Sequence, residues 1–274
     1  MGKISDALER RRKEGSPKVE RLPTRKLQDL NKIEDISLPH REFIIRSGFS
    51  HKVVTLSAPW SIEAEYFKVL KSQVLFPVNG GRPRTIMVTS AFPGEGKTFV
   101  SVNLAVSLAL GINEHVLLVD CDFRNPNLHQ LLGYSGLEGL HEYLTGKREL
   151  HDLIRRTKIE KLSFLSSGSI PPNPTELVSS TTMKEFLEEI KGRYQDRFVI
   201  IDAPPCTVTA EANVIANYVE GIIFVVMAQK SPREPVEKSV ENLGKNKVLG
   251  VVFNGYGKAF KRYHKYYKKY YKSH

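Results

Sequence analysis

Apolar residues along this chain fall into short runs that alternate with amphipathic stretches. Runs typical of strands buried on both faces occur at residues 116–119, 198–201, 222–226 and 248–253. A further run begins at Thr85 and leads into a glycine-bearing turn, and helical periodicity appears at residues 61–76 and 98–110. Strands that alternate with helices predict an α/β fold, with a mostly parallel sheet covered by helices on both faces.

The segment from Thr85 to Thr98 joins the first strand to a helix through a turn that resembles a phosphate-binding loop. Glycines let backbone amides approach a triphosphate, a lysine reaches its outer phosphates, and a threonine hydroxyl can bind Mg²⁺. The pattern Gly-x-x-x-x-Gly-Lys-Thr is met except that Ala91 replaces the first glycine, so this position is expected to avoid positive φ. The turn predicts an ATP site formed by Pro93, Gly94, Glu95, Gly96, Lys97, Thr98 and Phe99.

Carboxylates follow two of the apolar runs, Asp120 and Asp122 after one and Asp202 after another. Because ligands bind at the carboxyl ends of parallel strands, these side chains should converge with Lys97. Phosphoryl transfer needs cations on the phosphates and a carboxylate that holds the nucleophile, so one of Asp120 and Asp122 would bind metal while the other accepts a proton. We predict a catalytic set of Lys97, Asp120, Asp122 and Asp202, with Asp120 favoured as base, and Mg²⁺ ligands Thr98, Asp122 and Asp202.

The helical stretch at residues 61–76 begins at Ser61, a plausible N-cap. Its apolar stripe consists of Ile62, Tyr66, Phe67, Val69, Leu70 and Val74. Glu65, Lys68 and Lys71 lie together on another face of the helix. Charged pairs three residues apart are common on solvent-exposed helix faces, so this group by itself does not indicate a function.

Composition fits one sizeable core with basic extensions, since the chain has 274 residues, 41% of them hydrophobic, and a formal net charge of +11. No run approaches the length of a membrane span, and the first residues lack the apolar stretch of a signal peptide. We therefore expect a protein that is neither secreted nor membrane-spanning. Cys121 and Cys206 are too few for a zinc framework and are expected to be reduced.

The two ends of the chain differ in composition from its centre. Residues 1–50 are predicted to form a basic arm and linker, and residues 51–257 the nucleotide-binding domain. The tail, residues 258–274, has no acidic residue and is expected to be disordered. Its composition suits three roles: binding to an anionic lipid surface, binding to nucleic acid, or phosphorylation of its tyrosines. Phosphorylation would reverse the charge of the tail. The candidate acceptors are Tyr263, Tyr266, Tyr267, Tyr270 and Tyr271.

These motifs together resemble the bacterial tyrosine autokinases (BY-kinases) of capsular and exopolysaccharide systems, in the form whose cytoplasmic kinase is separate from its membrane adaptor. The Walker A pattern lies at Thr89 to Thr98, the Walker A′ pattern at Leu118 to Arg124, and the Walker B pattern at Val199 to Pro205. The tyrosine-rich tail completes the set. The fold that this resemblance implies is a P-loop NTPase of the MinD/ParA-like Rossmannoid type.

The resemblance also implies roles for particular residues. It implies phosphorylation of the tail tyrosines in trans within a ring, with Asp120 at the position of a catalytic aspartate. Arg124 of the A′ pattern and Asn254 would contact ATP, Asn254 on the adenine side. The ring-forming Glu-x-x-Arg-x-x-Arg helix of the family corresponds to Glu65, Lys68 and Lys71, where lysines lose the bidentate geometry of arginine.

The partners implied are a membrane polysaccharide co-polymerase adaptor, further copies of the chain and a cognate tyrosine phosphatase, without specific nucleic acid. The protein would lie in the cytoplasm, at the inner face of the membrane through its adaptor. Regulation of exopolysaccharide polymerisation and export would follow from its autokinase activity.

Two alternatives remain open. A MinD- or ParA-type ATPase switch shares the fold and binds membrane or DNA through a basic tail, but its loop needs a lysine where this chain has Phe92. A nucleotide-gated binding module without kinase activity would show salt-sensitive binding and no phosphotyrosine. A dehydrogenase is disfavoured, since the Gly-x-Gly continues into Lys-Thr-Phe without a third glycine.

Overall fold

A seven-stranded sheet forms the centre of the computed structural model, which describes residues 48–77, 81–193 and 197–256. The strand order is β3-β4-β2-β5-β1-β6-β7. Only β3 runs antiparallel to its neighbour, and the other pairs are parallel. The strands are β1 Thr85–Ser90, β2 His115–Asp120, β3 Arg155–Arg156, β4 Leu162–Leu165, β5 Arg197–Asp202, β6 Gly221–Met227 and β7 Val248–Asn254.

Helices occupy the connections between strands and cover both faces of the sheet. They are α1 Val54–Ser57, α2 Ile62–Leu75, α3 Lys97–Ala109, α4 Leu128–Leu131, α5 Leu140–Leu144, α6 Leu150–Leu153, α7 Pro174–Val178, α8 Thr181–Arg193, α9 Glu211–Ala216 and α10 Arg233–Asn242. A short 3₁₀ turn at Lys245–Lys247 precedes β7.

Alternate residues of each central strand face two separate hydrophobic clusters. Along β6, Ile222 and Phe224 join one cluster while Ile223 and Val225 join the other. Strands buried on both faces must be apolar at nearly every position, which explains the continuous runs of β2, β5 and β6. The edge strand β7 differs, because Leu249, Val251 and Phe253 are exposed although its sequence is equally apolar. The predicted fold, a parallel sheet between two helical layers, is therefore confirmed.

The helix α3 lies almost entirely inside the molecule, because α2 packs over it. The rings of Phe67 and Phe99 meet edge to face at 5.6 Å, and the Ser107 hydroxyl donates to the carbonyl of Phe67 at 3.3 Å. This burial fixes the amino end of α3, where the phosphate-binding loop ends.

The predicted N-cap of α2 is confirmed, since the Ser61 hydroxyl accepts a hydrogen bond from the amide of Ala64. The apolar stripe of this helix divides between two environments. Phe67 and Val74 are buried, whereas Tyr66 and Val69 are each about half exposed. Helical periodicity therefore identified the stripe but not which part of it packs inside the molecule.

The arm up to residue 47 and the tyrosine-rich tail from residue 257 lie outside the described residues. The disorder of the tail therefore stays a prediction. The domain boundaries at residues 50 and 257 thus stay predictions. Within residues 48–77, 81–193 and 197–256, no helix combines the length and apolar character needed to cross a bilayer.

Candidate active site

The turn between β1 and α3 has the conformation of a phosphate-binding loop. Gly94 and Gly96 have φ of +79° and +92°, which only glycine adopts readily. Ala91 is buried and is not among the described residues with positive φ, as the sequence predicted. The Ser90 hydroxyl donates to the carbonyl of Phe92 at 2.8 Å and tightens the start of the turn. Backbone amides at the amino end of α3 are thereby available for an anion.

Four charged side chains predicted to be catalytic meet beside this loop. Lys97, in the first turn of α3, lies 3.6 Å from Asp122, measured from Nζ to Oδ2. Asp120 and Asp202 end the adjacent strands β2 and β5 and are partners in the same register. All four side chains are buried. We call Asp120, Asp122 and Asp202 the carboxylate cluster.

Burial and mutual repulsion make the carboxylate cluster electrostatically costly. Burial, strengthened by the charge of Asp202, raises the pKa of Asp120 well above its usual range. Burial also raises the pKa of Asp202, to about 6, although the Lys97 ammonium opposes this effect. Burial, together with the neighbouring carboxylates, also raises the pKa of the Cys121 thiol, which disfavours the reactive thiolate.

The three carboxylates differ in how their oxygens are used. Asp120 accepts amide hydrogen bonds at both oxygens, from Asp122 at 3.1 Å and from Leu128 at 3.3 Å. Asp202 accepts one from the Ser101 hydroxyl at 3.0 Å, while its Oδ2 atom is buried with no hydrogen-bond partner among the described residues. An unpartnered buried carboxylate oxygen is expensive, so a ligand is expected at Asp202.

The predicted Mg²⁺ ligands fit this chemistry. Mg²⁺ at phosphate sites takes one or two carboxylates and completes its shell with phosphate and water. Asp202, Asp122 and the Thr98 hydroxyl are hard oxygen donors of that kind. In the described part of the chain, no group of three or more His, Cys, Asp and Glu side chains is arranged to hold a metal by itself.

On the other side of the loop, two predicted ATP-binding residues contact the protein itself. The Glu95 carboxylate accepts hydrogen bonds from the amide of Phe92 at 2.7 Å and from the amide of Met227 at 3.2 Å, and a short one from the Ser231 hydroxyl. The Asn254 side chain donates to the carbonyl of Glu95 at 2.8 Å. The backbone amide of Glu95, rather than its side chain or carbonyl, is thus left to face a phosphate.

Arg124, also predicted to bind ATP, is held by a carboxylate that the sequence analysis did not single out. Its guanidinium donates twice to one oxygen of Glu211, at 3.0 and 2.9 Å, and once to the Thr175 hydroxyl at 3.2 Å. The Thr175 hydroxyl in turn donates to Glu211. This contact joins the segment after β2, the start of α7 and the start of α9.

The remaining predicted residues lie apart from this site or outside the described chain. Glu65 and Lys68 form an exposed pair at 2.9 Å on α2, with Lys71 one turn further on. The tail tyrosines Tyr263 to Tyr271 are not described. Sequence reasoning missed Ser101 on α3, Glu211 on α9 and Ser231 in the turn after β6. Ser101 and Glu211 are buried and Ser231 is partly buried, and nothing in the local pattern marked them.

This fold and loop define a nucleotide-binding P-loop NTPase of the ParA type. The ParA family model, described as an NUBPL iron-transfer P-loop NTPase, matches residues 82–272. The septum site-determining protein MinD of Pyrococcus horikoshii, solved with Mg-ADP, is 30% identical with a TM-score of 0.55, covering 64% of this chain and 72% of that chain.

More specific similarity is found among tyrosine kinases. YwqD of Bacillus subtilis (strain 168), a tyrosine-protein kinase, is 34% identical over 211 residues, which cover 76% of this chain and 88% of YwqD. The kinase domain of the Escherichia coli tyrosine kinase ETK is 30% identical with a TM-score of 0.68, covering 74% of this chain and 79% of that chain. The chain belongs to the family of bacterial tyrosine-protein kinases. The predicted enzyme class is thus confirmed, and it fits better than the MinD/ParA-type switch.

Proposed function

We propose that this kinase uses ATP to phosphorylate the tyrosines of its own tail, with one copy acting on the tail of another. The observation that carries the proposal is the buried cluster of Lys97 with three carboxylates beside the phosphate-binding loop. That arrangement suits the transfer of a terminal phosphoryl group to a hydroxyl. The acceptor hydroxyls are those of Tyr263, Tyr266, Tyr267, Tyr270 and Tyr271.

Each charged group has a distinct task in this reaction. The loop amides and the Lys97 ammonium bind the phosphates and neutralise charge that develops on them. Asp120 accepts the proton of the attacking tyrosine hydroxyl, and its raised pKa increases its affinity for that proton. The base role requires one of the two amide hydrogen bonds to Asp120 to give way. Asp122, which lies nearer to Lys97, is the alternative base.

Thr98, Asp122 and Asp202 are the residues that would hold Mg²⁺ with the nucleotide. When bound, the metal supplies positive charge to the phosphates of ATP. Among these three residues, Asp202 has a buried carboxylate oxygen, Oδ2, with no hydrogen-bond partner among the described residues, which favours such a ligand. Burial at this position also excludes water, which strengthens each electrostatic contact.

Transfer in trans requires contact between copies, for which α2 is the proposed surface. Trp60 and Phe76, which flank this helix, are 78% and 75% exposed, and Tyr66 and Val69 on the helix are each about half exposed. Exposed aromatic residues at this density mark interaction sites. Glu65, Lys68 and Lys71 would supply the polar contacts of a ring that forms with the unmodified tail and loosens on phosphorylation.

Further partners follow from the family resemblance. We propose a membrane polysaccharide co-polymerase as adaptor, which would hold the kinase at the inner face of the membrane, and a tyrosine phosphatase that resets the tail. Phosphorylation adds about −1.5 to −2 charge per tyrosine to a basic segment. Such a change is large enough to regulate assembly, and through it exopolysaccharide polymerisation and export.

The test is phosphotyrosine mapping by mass spectrometry after incubation with Mg·ATP, with and without the cytoplasmic segment of the adaptor. We expect phosphate on the tail tyrosines in the wild-type chain. Lys97→Met should reduce it by roughly 10³-fold, because the lysine stabilises the transferred group. Mixing Lys97→Met chains with an active chain whose five tail tyrosines are phenylalanine should restore phosphate on the Lys97→Met tails.

That mixture isolates transfer between copies. Phosphate on the wild-type tail without any on the Lys97→Met tails in the mixture would contradict transfer in trans. Bound ATP with no phosphotyrosine, even with the adaptor segment, would contradict the autokinase proposal itself.

A further inference from the structure

Two segments flank the phosphate-binding loop on the side away from the carboxylate cluster: the turn at residues 227–231 after β6, and Asn254 at the end of β7. In the sheet, β6 and β7 follow β1 on one side, whereas β5 and β2 lie on the other. A nucleotide whose outer phosphates lie at the carboxylate cluster would extend its base to the other side of the loop, toward the 227–231 turn and Asn254. This orientation rests on the proposed function.

Glu95 connects the phosphate-binding loop to both of these segments. One carboxylate oxygen accepts the amide of Phe92 inside the loop, and the other accepts the amide of Met227 and the hydroxyl of Ser231. The Glu95 carbonyl accepts the side-chain amide of Asn254. The side chain is only 2% exposed, so these contacts are shielded from water.

If Glu95 contacted only Phe92, its role would be to stabilise the phosphate-binding loop itself. The contacts with Met227 and Ser231, by contrast, join residues more than 130 positions apart in the sequence. They hold a turn that contains Gln229, the one non-glycine residue of the described chain with positive φ, at +64°. The turn has hydrogen bonds of its own, from the amides of Lys230 and Ser231 to the carbonyl of Met227, and Glu95 is the buried acceptor that ties it to the phosphate-binding loop.

We propose that Glu95 is a positioning residue that fixes the base end of the nucleotide site to the phosphate-binding loop and thereby sets the preference for adenine. The 227–231 turn and Asn254 are joined directly, since the amide of Ala228 donates to the carbonyl of Asn254 at 2.8 Å and Met227 pairs with Asn254 in the sheet. Together they form one surface against which the base lies. Glu95 is hydrogen-bonded to both parts of this surface, so its distance from the phosphate-binding loop is set before nucleotide arrives. A base surface at a fixed distance from the phosphates selects one base, whereas a mobile one accepts several.

Glu95→Gln tests this proposal with little change in size. Both carboxylate oxygens of Glu95 accept hydrogen bonds. In a glutamine, one of these oxygens becomes an NH₂ group, which would face a hydrogen-bond donor whichever way the side chain is turned. Calorimetry on the full-length chain would measure the affinities for Mg·ATP, Mg·GTP and Mg·tripolyphosphate, the last lacking a base. In the wild type we expect ATP to bind at least about tenfold more tightly than GTP, the effect of one lost buried hydrogen bond.

In Glu95→Gln, the affinity for ATP should fall about tenfold and the preference over GTP should shrink to under about threefold, while tripolyphosphate binding stays within about threefold. Ser231→Ala should change the preference in the same direction by less, and it keeps the test valid if Glu95→Gln does not fold. Glu114→Gln is the matched control, because Glu114 pairs with Arg82 just before β2.

Equal losses for ATP, GTP and tripolyphosphate would overturn the proposal, because Glu95 would then only brace the phosphate loop. A wild-type chain that does not distinguish ATP from GTP, or a Glu95→Gln chain with unchanged preference, would overturn it as well. These measurements need no kinase activity. A chain that selects ATP but forms no phosphotyrosine would contradict the proposed function and leave this inference intact.

Discussion

The two sides of the phosphate-binding loop handle buried polar groups in opposite ways. On the side of β5 and β2, three carboxylates share one nearby ammonium, and an oxygen of Asp202 has no partner among the described residues. On the side of β6 and β7, both oxygens of Glu95 and the amide group of Asn254 are hydrogen-bonded. The first side is incomplete without a ligand, and the second is already assembled.

This difference separates two tasks of one site. Groups that stabilise charge developing in a reaction are costly before the ligand arrives, since they repel each other in a region without water. Groups that recognise the unchanging part of a substrate can be satisfied in advance. The free energy of unfolding should therefore respond in opposite directions to substitutions on the two sides.

The largest effect is expected for Asp202→Asn. Phosphotyrosine formation should fall by at least about 100-fold, because Asp202 is a proposed Mg²⁺ ligand and the neutral amide of asparagine binds the metal less well than a carboxylate. The nucleotide-free chain should nevertheless become more stable at pH 8, by up to about 3 kcal/mol, since each unit by which a pKa is raised costs about 1.4 kcal/mol. Asparagine can still accept the Ser101 hydroxyl, so packing is preserved.

The pKa of Asp202 also predicts how the stability of the wild-type chain changes with pH. Asp202 in the folded chain holds its proton up to a pKa of about 6, whereas an ordinary aspartate loses it near 4. The folded state therefore binds more protons than the unfolded state between these values, and wild-type stability falls as pH rises from about 4 to 6. Denaturant unfolding at pH 4.5, 6 and 8 without nucleotide or Mg²⁺ measures this slope, which Asp202→Asn should reduce.

The matched control is Asp152→Asn on α6, where the side chain is 43% exposed. This substitution should change the free energy of unfolding by less than about 0.5 kcal/mol. An Asp202→Asn chain that is less stable than the wild type at pH 8 would contradict the idea that the carboxylate cluster is strained.

A smaller effect of opposite sign is expected at the assembled side, from Gly96→Ala. Both Gly96 and Gly94 have positive φ, so alanine at either position costs about 1–2 kcal/mol in backbone strain. A Cβ at Gly96 would also collide with the side-chain amide of Asn254, whereas a Cβ at Gly94 meets nothing within 4 Å. Gly96→Ala should therefore destabilise the chain by about 1 kcal/mol more than Gly94→Ala, the value of the lost hydrogen bond.

Urea unfolding of the two variants without nucleotide measures this difference. Gly94→Ala is the internal control for strain alone. Equal destabilisation would contradict a stabilising contact between Asn254 and the phosphate-binding loop.

The incomplete side was largely predictable from the sequence, and the assembled side was not. Asp120 and Asp202 end apolar runs, and parallel strands bring their carboxyl ends to one edge, so their proximity follows from the pattern alone. Glu95 gave no such signal, because a residue inside a phosphate-loop motif is expected to face the phosphate. Its partners Met227 and Ser231 are set by the crossover after β6, which periodicity does not locate.

Contacts between residues far apart in the sequence also explain the other differences between the sequence predictions and the structure. The stripe on α2 has the correct period, but periodicity does not distinguish Phe67, which is buried, from Tyr66, which is about half exposed. Arg124 stands in a recognisable motif, while Glu211, its partner, lies 87 residues further on. Local pattern thus predicts which face is apolar and which strand end is polar, and tertiary packing decides what each group contacts.

Glu211→Gln is expected to have the smallest effect on the free energy of unfolding. It tests whether Arg124 is held by the protein, like the groups around Glu95, or is available to bind the ligand, like the carboxylate cluster. Burial opposes ionisation of Glu211, but hydrogen bonds from the backbone, Thr209, Arg124 and Thr175 outweigh it and lower its pKa. A lowered pKa contributes stability above the ordinary range of glutamate, and this contribution is lost as pH falls below about 4.5. Glu211→Gln should therefore cost about 1 kcal/mol at pH 7 and less at pH 4.

Unfolding of Glu211→Gln, Arg124→Ala and the double variant at both pH values measures this pairing. If Arg124 is held by Glu211, the double variant costs less than the sum of the single ones, because the second substitution removes a group whose partner is already absent. Glu176→Gln, an exposed glutamate beside Thr175, should stay within about 0.5 kcal/mol of the wild type. Additive costs, together with an ATP affinity that falls only in Arg124→Ala, would instead assign Arg124 to the ligand, as the sequence motif predicted.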